Sequence, residues 1–84
     1  MNELYIYRRT ILAQLEASFP MSLPLKTLVM GLNIAGFNCE NIEKQLEYLE
    51  QKNFIEIISC EICPSFKRYK ITAYGIDFLN GGVF

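Results

Sequence analysis

Three cysteines are the residues of this chain whose chemistry is easiest to recognise. Cys60 and Cys63 form a C-x-x-C pair, and Cys39 is the only other thiol. A structural zinc site usually takes four Cys or His ligands, and the chain contains no histidine. An odd number of cysteines also does not make a disulfide framework. We therefore expect reduced thiols, with no bound metal and no other cofactor.

The remaining reactive side chains do not form a recognisable catalytic set. General acid–base catalysis near neutral pH most often uses histidine, which is absent here. The chain has no Gly-rich phosphate loop, and its closely spaced glutamates follow one helix instead of converging from two elements. Because catalysis needs a nucleophile, an acid–base pair or a metal, we expect that the protein is not an enzyme.

Recognition of DNA is the chemistry that the polar side chains of segment 41–48 suggest. Ile42, Leu46 and Leu49 follow helical spacing, which predicts a helix with this stripe facing inward. In the major groove of DNA, asparagine and glutamine side chains can read adenine, and a lysine side chain can reach guanine or phosphate. With the apolar stripe inward, the predicted outward side carries four candidate DNA contacts: Asn41, Lys44, Gln45 and Tyr48.

A second group of candidate DNA contacts lies in the last third of the chain. Lys67, Arg68 and Lys70 surround Tyr69. Lysine and arginine side chains neutralise DNA phosphates, which makes these cations candidate phosphate contacts. Lysines on an exposed strand also prevent edge-to-edge aggregation, so both interpretations of these cations stay open.

The charge of the chain argues for a different kind of partner. Eight basic residues stand against nine acidic ones, giving a net charge of −1, whereas DNA-binding domains usually carry a basic patch. Four of the acids follow a 3-4-3 spacing along the third helix: Glu40, Glu43, Glu47 and Glu50. This acidic edge favours an alternative to DNA binding. In that alternative, the third helix or the apolar loop residues Ile62 and Phe66 bind a protein.

The elements that must position these residues follow from hydrophobic periodicity and from capping and turn residues. Phe19-Pro20 ends the first helix, because the residue before proline avoids the α region. Ser22 caps the second helix, Asn38 the third, and Asn53 offers a left-handed stop. The predicted elements are a helix over 3–18, a helix after Ser22, a helix from Asn38, strands over 54–59 and 68–72, and a short helix from Thr72 to Leu79.

The first helix carries a second stripe that its own core does not require. One side holds Leu4, Ile11, Leu12, Leu15 and then Phe19, whereas the other is small or apolar. One apolar stripe suffices for a helix on a small domain, although alanines are also simply good helix formers. Together with the apolar closing segment, this predicts a homodimer interface made by Ile6, Thr10, Ala13, Ala17, Phe78 and Phe84.

Two segments of the chain resemble a known superfamily. The segment IEKQLEYLEQKNFIEI resembles the recognition helix and first wing strand of MarR-, ArsR- and PadR-like regulators, and RYKITAYGIDFL resembles their second wing strand and following helix. Asn53 stands where these proteins usually have glycine. The resemblance covers nearly the whole chain. It implies an α+β winged helix-turn-helix with three helices, a two-stranded antiparallel wing and a short C-terminal helix. It also implies a small transcriptional regulator that binds double-stranded DNA as a dimer.

Length and hydropathy predict the number of domains and the location of the protein. Residues 1–84 fit one domain. A hydrophobic content of 51% is generous for this size, so either the core is unusually dense or some apolar surface is meant for a partner. Arg8 and Arg9 follow the first apolar residues instead of preceding them, unlike a signal peptide. The longest apolar run, 28–32, is too short to span a bilayer. We therefore expect a cytoplasmic protein without a membrane segment.

Overall fold

The structure is a computed structural model, and it describes residues 3–59, 62 and 66–81. Helices and strands follow in the order α1 (Glu3–Ser18), β1 (Leu23–Pro24), α2 (Leu25–Ile34), α3 (Ile42–Gln51), β2 (Ile55–Ser59), β3 (Lys67–Ile71) and α4 (Ala73–Leu79). The expectation of an α+β fold is confirmed, with four helices and one antiparallel sheet in these ranges.

The sheet contains the expected hairpin and one strand more. β2 pairs antiparallel with β3, as predicted, and the structure places Ile55 opposite Ile71. The prediction of only two strands is wrong, because β1 pairs with the other side of β3 and places Leu23 opposite Tyr69. A two-residue strand has no alternation to detect in a sequence. Its Pro24 is tolerated because β1 lies at an edge, where a missing N–H is not needed by a neighbour.

Two helices begin later than their capping residues predicted. α2 begins at Leu25 after Pro24, whose side chain makes no capping bond, and Ser22 instead accepts hydrogen bonds from Arg68. α3 begins at Ile42 instead of near Asn38, because the Asn38 carboxamide oxygen accepts a hydrogen bond from the Glu40 amide at 2.8 Å. Such local side-chain bonds compete with helix formation.

The two other predicted end signals are confirmed. Asn53 follows α3 with a φ of 65°, the left-handed conformation that asparagine tolerates at a helix end. The Thr72 hydroxyl accepts a hydrogen bond from the Gly75 amide at 3.1 Å and caps α4. Gly75 itself faces the Phe54 carbonyl so closely that an added Cβ would collide with it. Glycine at this position therefore lets α4 approach the residue that precedes β2.

The hydrophobic core lies between α1, α2, α3 and the inner face of the sheet. Ile42, Leu46 and Leu49 are buried, as the helical spacing predicted. Leu4 and Phe19, which the same reasoning placed on the buried side of α1, are exposed, and Tyr7 packs in the core instead. The other fully buried side chains are Ile11, Leu12, Leu15, Leu28, Leu32 and Ile71.

Candidate functional site

The outward surface of α3 carries three of the four predicted DNA contacts. Asn41 and Lys44 are exposed, and the Tyr48 ring is 40% exposed. Asn41 precedes the helix at its N-cap position, with a φ of −109° and a ψ of 23°. Asn41 and Lys44 therefore lie near the N-terminal end of α3, and Tyr48 lies more than one turn further along.

The prediction that Gln45 faces outward is wrong. Gln45 is 8% exposed, and its side-chain oxygen accepts a hydrogen bond from Nε of Arg8 at 2.8 Å. Ile42, Gln45, Leu46 and Leu49 follow the i, i+3, i+4, i+7 spacing of one helix face, and the Arg8 side chain of α1 contacts that face at Gln45. The spacing was present in the sequence, but the polarity of glutamine argued against a buried position.

Arg8 has a structural role that sequence reasoning missed. Its guanidinium carbon lies 3.8 Å from the centroid of the Tyr48 ring, within the range of a cation–π contact. The same side chain donates to Gln45, so Arg8 joins α1 to two residues of α3. The Gln45 amide and the Tyr48 ring are therefore both engaged in contacts within the domain.

The acidic residues of α3, and Glu40 just before it, are on the surface. Glu40, Glu43, Glu47 and Glu50 are all exposed. Two of them, Glu43 and Glu47, line a groove between α3 and the sheet, which we call the α3–sheet groove. Its volume is about 420 Å³, and its lining residues are Leu25, Glu43, Leu46, Glu47, Ile57, Lys67 and Tyr69. Burial, and then the charge of Glu43, raise the pKa of Tyr69 above its ordinary value of 10.0.

The three cations of β3 are divided between the two faces of the sheet. Successive side chains of a strand point to opposite faces, and Lys67 lies on the same side as buried Tyr69, at the α3–sheet groove. Arg68 and Lys70 lie on the other side. Arg68 donates to the hydroxyl and the carbonyl oxygen of Ser22, both at 2.8 Å.

Lys70 also has an acidic neighbour across the sheet. It pairs directly with Glu56 of β2, and opposite charges at facing positions of an antiparallel pair attract each other. The predicted cluster of Lys67, Arg68 and Lys70 is therefore not one basic patch: one cation faces the groove, one binds Ser22 and one faces a carboxylate.

The predicted dimer residues lie mostly along an open surface of α1. Ile6 is exposed, as are Ala13 and Ala17, and Thr10 donates its hydroxyl hydrogen to the Ile6 carbonyl at 2.8 Å. A groove of about 550 Å³ runs between this surface and α4, and we call it the α1–α4 groove. Its lining residues are Tyr5, Ile6, Arg9, Thr10, Ala13 and Leu79.

Of the two aromatic residues predicted for the dimer interface, Phe78 packs within the chain and Phe84 lies outside the described residues. Phe78 is half-buried, and its ring stacks on Phe54 with a centroid distance of 4.6 Å. It also meets the edge of Tyr5 at 6.3 Å. Phe78 therefore shapes the position of α4 and offers only part of its surface to another molecule.

A polar cavity separates the N-terminal ends of α1 and α3. Its lining residues are Glu3, Leu4, Tyr7, Asn38, Glu40, Asn41 and Gln45. The Tyr7 hydroxyl is buried and has no hydrogen-bond partner among the described residues. Burial, and then the neighbouring Cys39 thiol, raise the pKa of Tyr7 to about 12. At neutral pH Tyr7 is thus a neutral phenol and offers no charge to a ligand.

The cysteine and loop residues complete the description. Cys39 is a free thiol, and Cys60 and Cys63 lie outside the described residues. Within residues 3–59, 62 and 66–81, no three His, Cys, Asp or Glu side chains are placed to hold a metal ion, and no helix is long and apolar enough to cross a membrane. Ile62 is 94% exposed and Phe66 is also exposed.

No protein-family model, curated protein or solved structure matches this chain. Inferences about its function therefore depend on the surfaces described above, namely the outward side of α3, the hairpin and the two grooves.

Proposed function

We propose that this chain is a winged helix-turn-helix domain that binds a protein partner through α3 and the adjoining sheet. In this proposal β2 and β3 form the wing, and α4 is the short C-terminal helix. The order of helices and strands supports it, since α1, α2, α3, the hairpin and α4 follow one another as the resemblance implies.

The observation that carries the proposed protein-binding role is the charge of the exposed surface of α3. Three glutamates of α3 are exposed, as is Glu40 just before it, while Gln45, one of the candidate base-reading residues, is buried. Affinity for DNA comes largely from the neutralisation of phosphates by cations, and carboxylates held against the DNA backbone repel it. The same carboxylates attract the lysines and arginines of a protein partner.

The second candidate function is DNA binding by a transcriptional regulator. It is favoured by exposed Asn41 and Lys44 near the N-terminal end of α3, where asparagine would read adenine and lysine guanine or phosphate. In this candidate, Lys67, Arg68 and Lys70 on the hairpin would contact phosphates. It requires that the duplex tolerate Glu40 and Glu43, which are exposed and neighbour Asn41 and Lys44 in the chain.

We also propose that two copies of the chain associate through the α1–α4 groove. Ile6, Thr10, Ala13 and Ala17 would lie in this interface, and the small alanine side chains would let a second helix approach closely. Exposed apolar surface of this kind is typical of an interaction site. Either candidate function is compatible with the dimer, because the groove is formed by α1 and α4 and not by α3.

Binding to a nonspecific DNA duplex in low salt distinguishes the two candidate functions. Fluorescence anisotropy should detect no association with the wild-type chain, and none with a Glu40→Gln/Glu47→Gln variant. The control is a Glu3→Gln/Asp77→Asn variant, which has the same change in net charge but lies off α3.

Duplex binding by the wild type would overturn the protein-binding proposal in favour of DNA. In that case Lys67→Ala, Arg68→Ala and Lys70→Ala should each reduce the salt slope by about one. Asn41→Ala should instead relax sequence preference, because contacts to base edges specify the site.

A further inference from the structure

The floor of the α3–sheet groove is apolar and is built by four different elements. Leu25 comes from α2, Leu46 from α3, Ile57 from β2 and Tyr69 from β3. Leu46 and Tyr69 are almost fully buried, while Leu25 and Ile57 are half-buried against the core. Because its floor belongs to the core, the groove is formed before any partner arrives.

The charged residues of this groove are predominantly acidic. Glu43 and Glu47 are exposed and lie four residues apart, one above the other on the same face of α3. Lys67 supplies one positive charge against these two negative charges. Two like charges at this spacing repel each other, so a cation that enters between them relieves the repulsion.

We propose that the α3–sheet groove seats a short basic segment of a protein, with one apolar side chain on the floor and lysine or arginine side chains against Glu43 and Glu47. This inference rests on the proposed protein-binding function and identifies the chemistry of the partner. The choice of occupant follows from charge complementarity, which suppresses wrong partners and selects right ones. An acidic segment would meet both carboxylates, and a purely apolar segment would leave them unpaired.

The position of the groove separates Glu43 and Glu47 from Glu40, which precedes α3, and from Glu50. Glu43 and Glu47 line it, whereas Glu40 and Glu50 do not. Glu40 instead lines the polar cavity near Tyr7. The chain therefore contains a matched pair of double variants with the same net charge, Glu43→Gln/Glu47→Gln inside the groove and Glu40→Gln/Glu50→Gln outside it.

The test uses a ten-residue synthetic peptide of lysines with one central leucine, titrated into the whole chain by calorimetry and by NMR. We expect the resonances of Leu46, Ile57 and Tyr69 to shift. Glu43→Gln/Glu47→Gln should weaken the affinity by about tenfold, the sum of two exposed ion pairs. Glu40→Gln/Glu50→Gln should weaken it by less than about twofold, a screened long-range effect.

Two further changes test the floor and the opposing wall. A peptide with serine in place of its leucine should lose affinity for the wild-type chain, because the apolar contact is removed without any change in the protein. Lys67→Ala should tighten binding of the leucine peptide. Thermal unfolding of each variant verifies that the fold is intact, and these exposed substitutions should leave it unchanged.

The outcomes separate this inference from the proposed function. If both double variants weaken the peptide equally, or if the serine peptide binds as well as the leucine peptide, attraction is only long-range and the groove assignment is overturned. Protein binding by the acidic surface of α3 would survive that result. If the wild-type chain ignores the peptide but binds duplex DNA in low salt, the groove assignment and the proposed function are both overturned.

Discussion

The two grooves of this domain are similar in size but differ in what their charged residues do. In the α1–α4 groove the charged residue is Arg9, whose Nη2 atom donates to the Leu79 carbonyl at 3.2 Å and whose guanidinium lies 5.9 Å from the Tyr5 ring. In the α3–sheet groove, Glu43, Glu47 and Lys67 are exposed. The first groove therefore offers mainly apolar surface, and the second offers apolar surface with charges that select a partner.

Apolar area alone does not identify the occupant of a groove. Specificity is a difference of affinities, and charges that would be left unpaired act against the wrong partner. A second copy of the chain suits the α1–α4 groove because a cation already engaged within the domain makes little demand on the partner. The α3–sheet groove makes a demand that only a cationic partner meets.

The largest expected effect concerns the floor of the α3–sheet groove. Leu46→Ala should lower the free energy of unfolding by about 2–5 kcal/mol, because a fully buried leucine leaves a cavity, and urea denaturation would measure it. The α1–α4 groove provides the contrast, since Ala13→Ser on its exposed wall should cost less than about 1 kcal/mol. A Leu46→Ala variant as stable as the wild type would show that this floor is not part of the core.

The next effect concerns the contact that holds α3 against α1. Arg8→Ala removes the hydrogen bond to Gln45 and the stacking on Tyr48, and should lower the free energy of unfolding by about 2 kcal/mol. The matched control is Lys52→Ala. The Lys52 ammonium also lies near the Tyr48 ring, 5.8 Å from its centroid. It is exposed and should change stability by less than about 0.5 kcal/mol. Equal effects would mean that Arg8 does not join the helices.

A smaller effect is expected in alkali, at the wall of the α3–sheet groove. The pKa of Tyr69 is raised above 10.0 by burial and then by Glu43, so the neutral phenol stabilises the folded state. This contribution is present below pH 10 and is lost as the pH rises through the raised pKa. Glu43→Gln should lower the pKa of Tyr69 and reduce that alkaline loss.

NMR titration of tyrosine labelled at Cζ would measure the pKa of Tyr69 directly. Tyr7 is the internal control, because its pKa of about 12 is due to burial and Cys39 instead of a carboxylate. The pKa of Tyr7 should stay the same in the Glu43→Gln variant. A Tyr69 pKa that also stays the same would place Glu43 too far away to form the wall of the groove beside Tyr69.

The smallest effect on stability concerns the α1–α4 groove, where a substitution should instead change the mass of the assembly in solution. Ala13→Glu puts a charge into the proposed dimer interface while keeping a good helix former. Sedimentation should show a dimer for the wild type and a monomer for the variant, with the free energy of unfolding of the monomer little changed. A wild-type chain that sediments as a monomer at high micromolar concentration would remove the self-association proposal and leave the α3–sheet groove unaffected.

Local signals in the sequence predicted most of the helices and the hairpin. The spacing of Ile42, Leu46 and Leu49 identified the buried side of α3, and the capping and left-handed positions of Thr72 and Asn53 were found because both depend on a few neighbouring residues. β1 was missed because its pairing with β3 joins residues more than forty positions apart. No local pattern in a two-residue strand encodes such a partner.

The candidate site shows the same division. The sequence alone predicted four glutamates at helical spacing over 40–50 and three cations around Tyr69, since these are properties of composition and of helical period. The packing of distant elements is what buries Gln45 beneath Arg8, joins Arg68 to Ser22, and makes Glu43 and Glu47 but not Glu50 line a groove. The physical reason is that a period specifies which side of an element a residue is on, whereas burial and pairing depend on which distant element packs against that side.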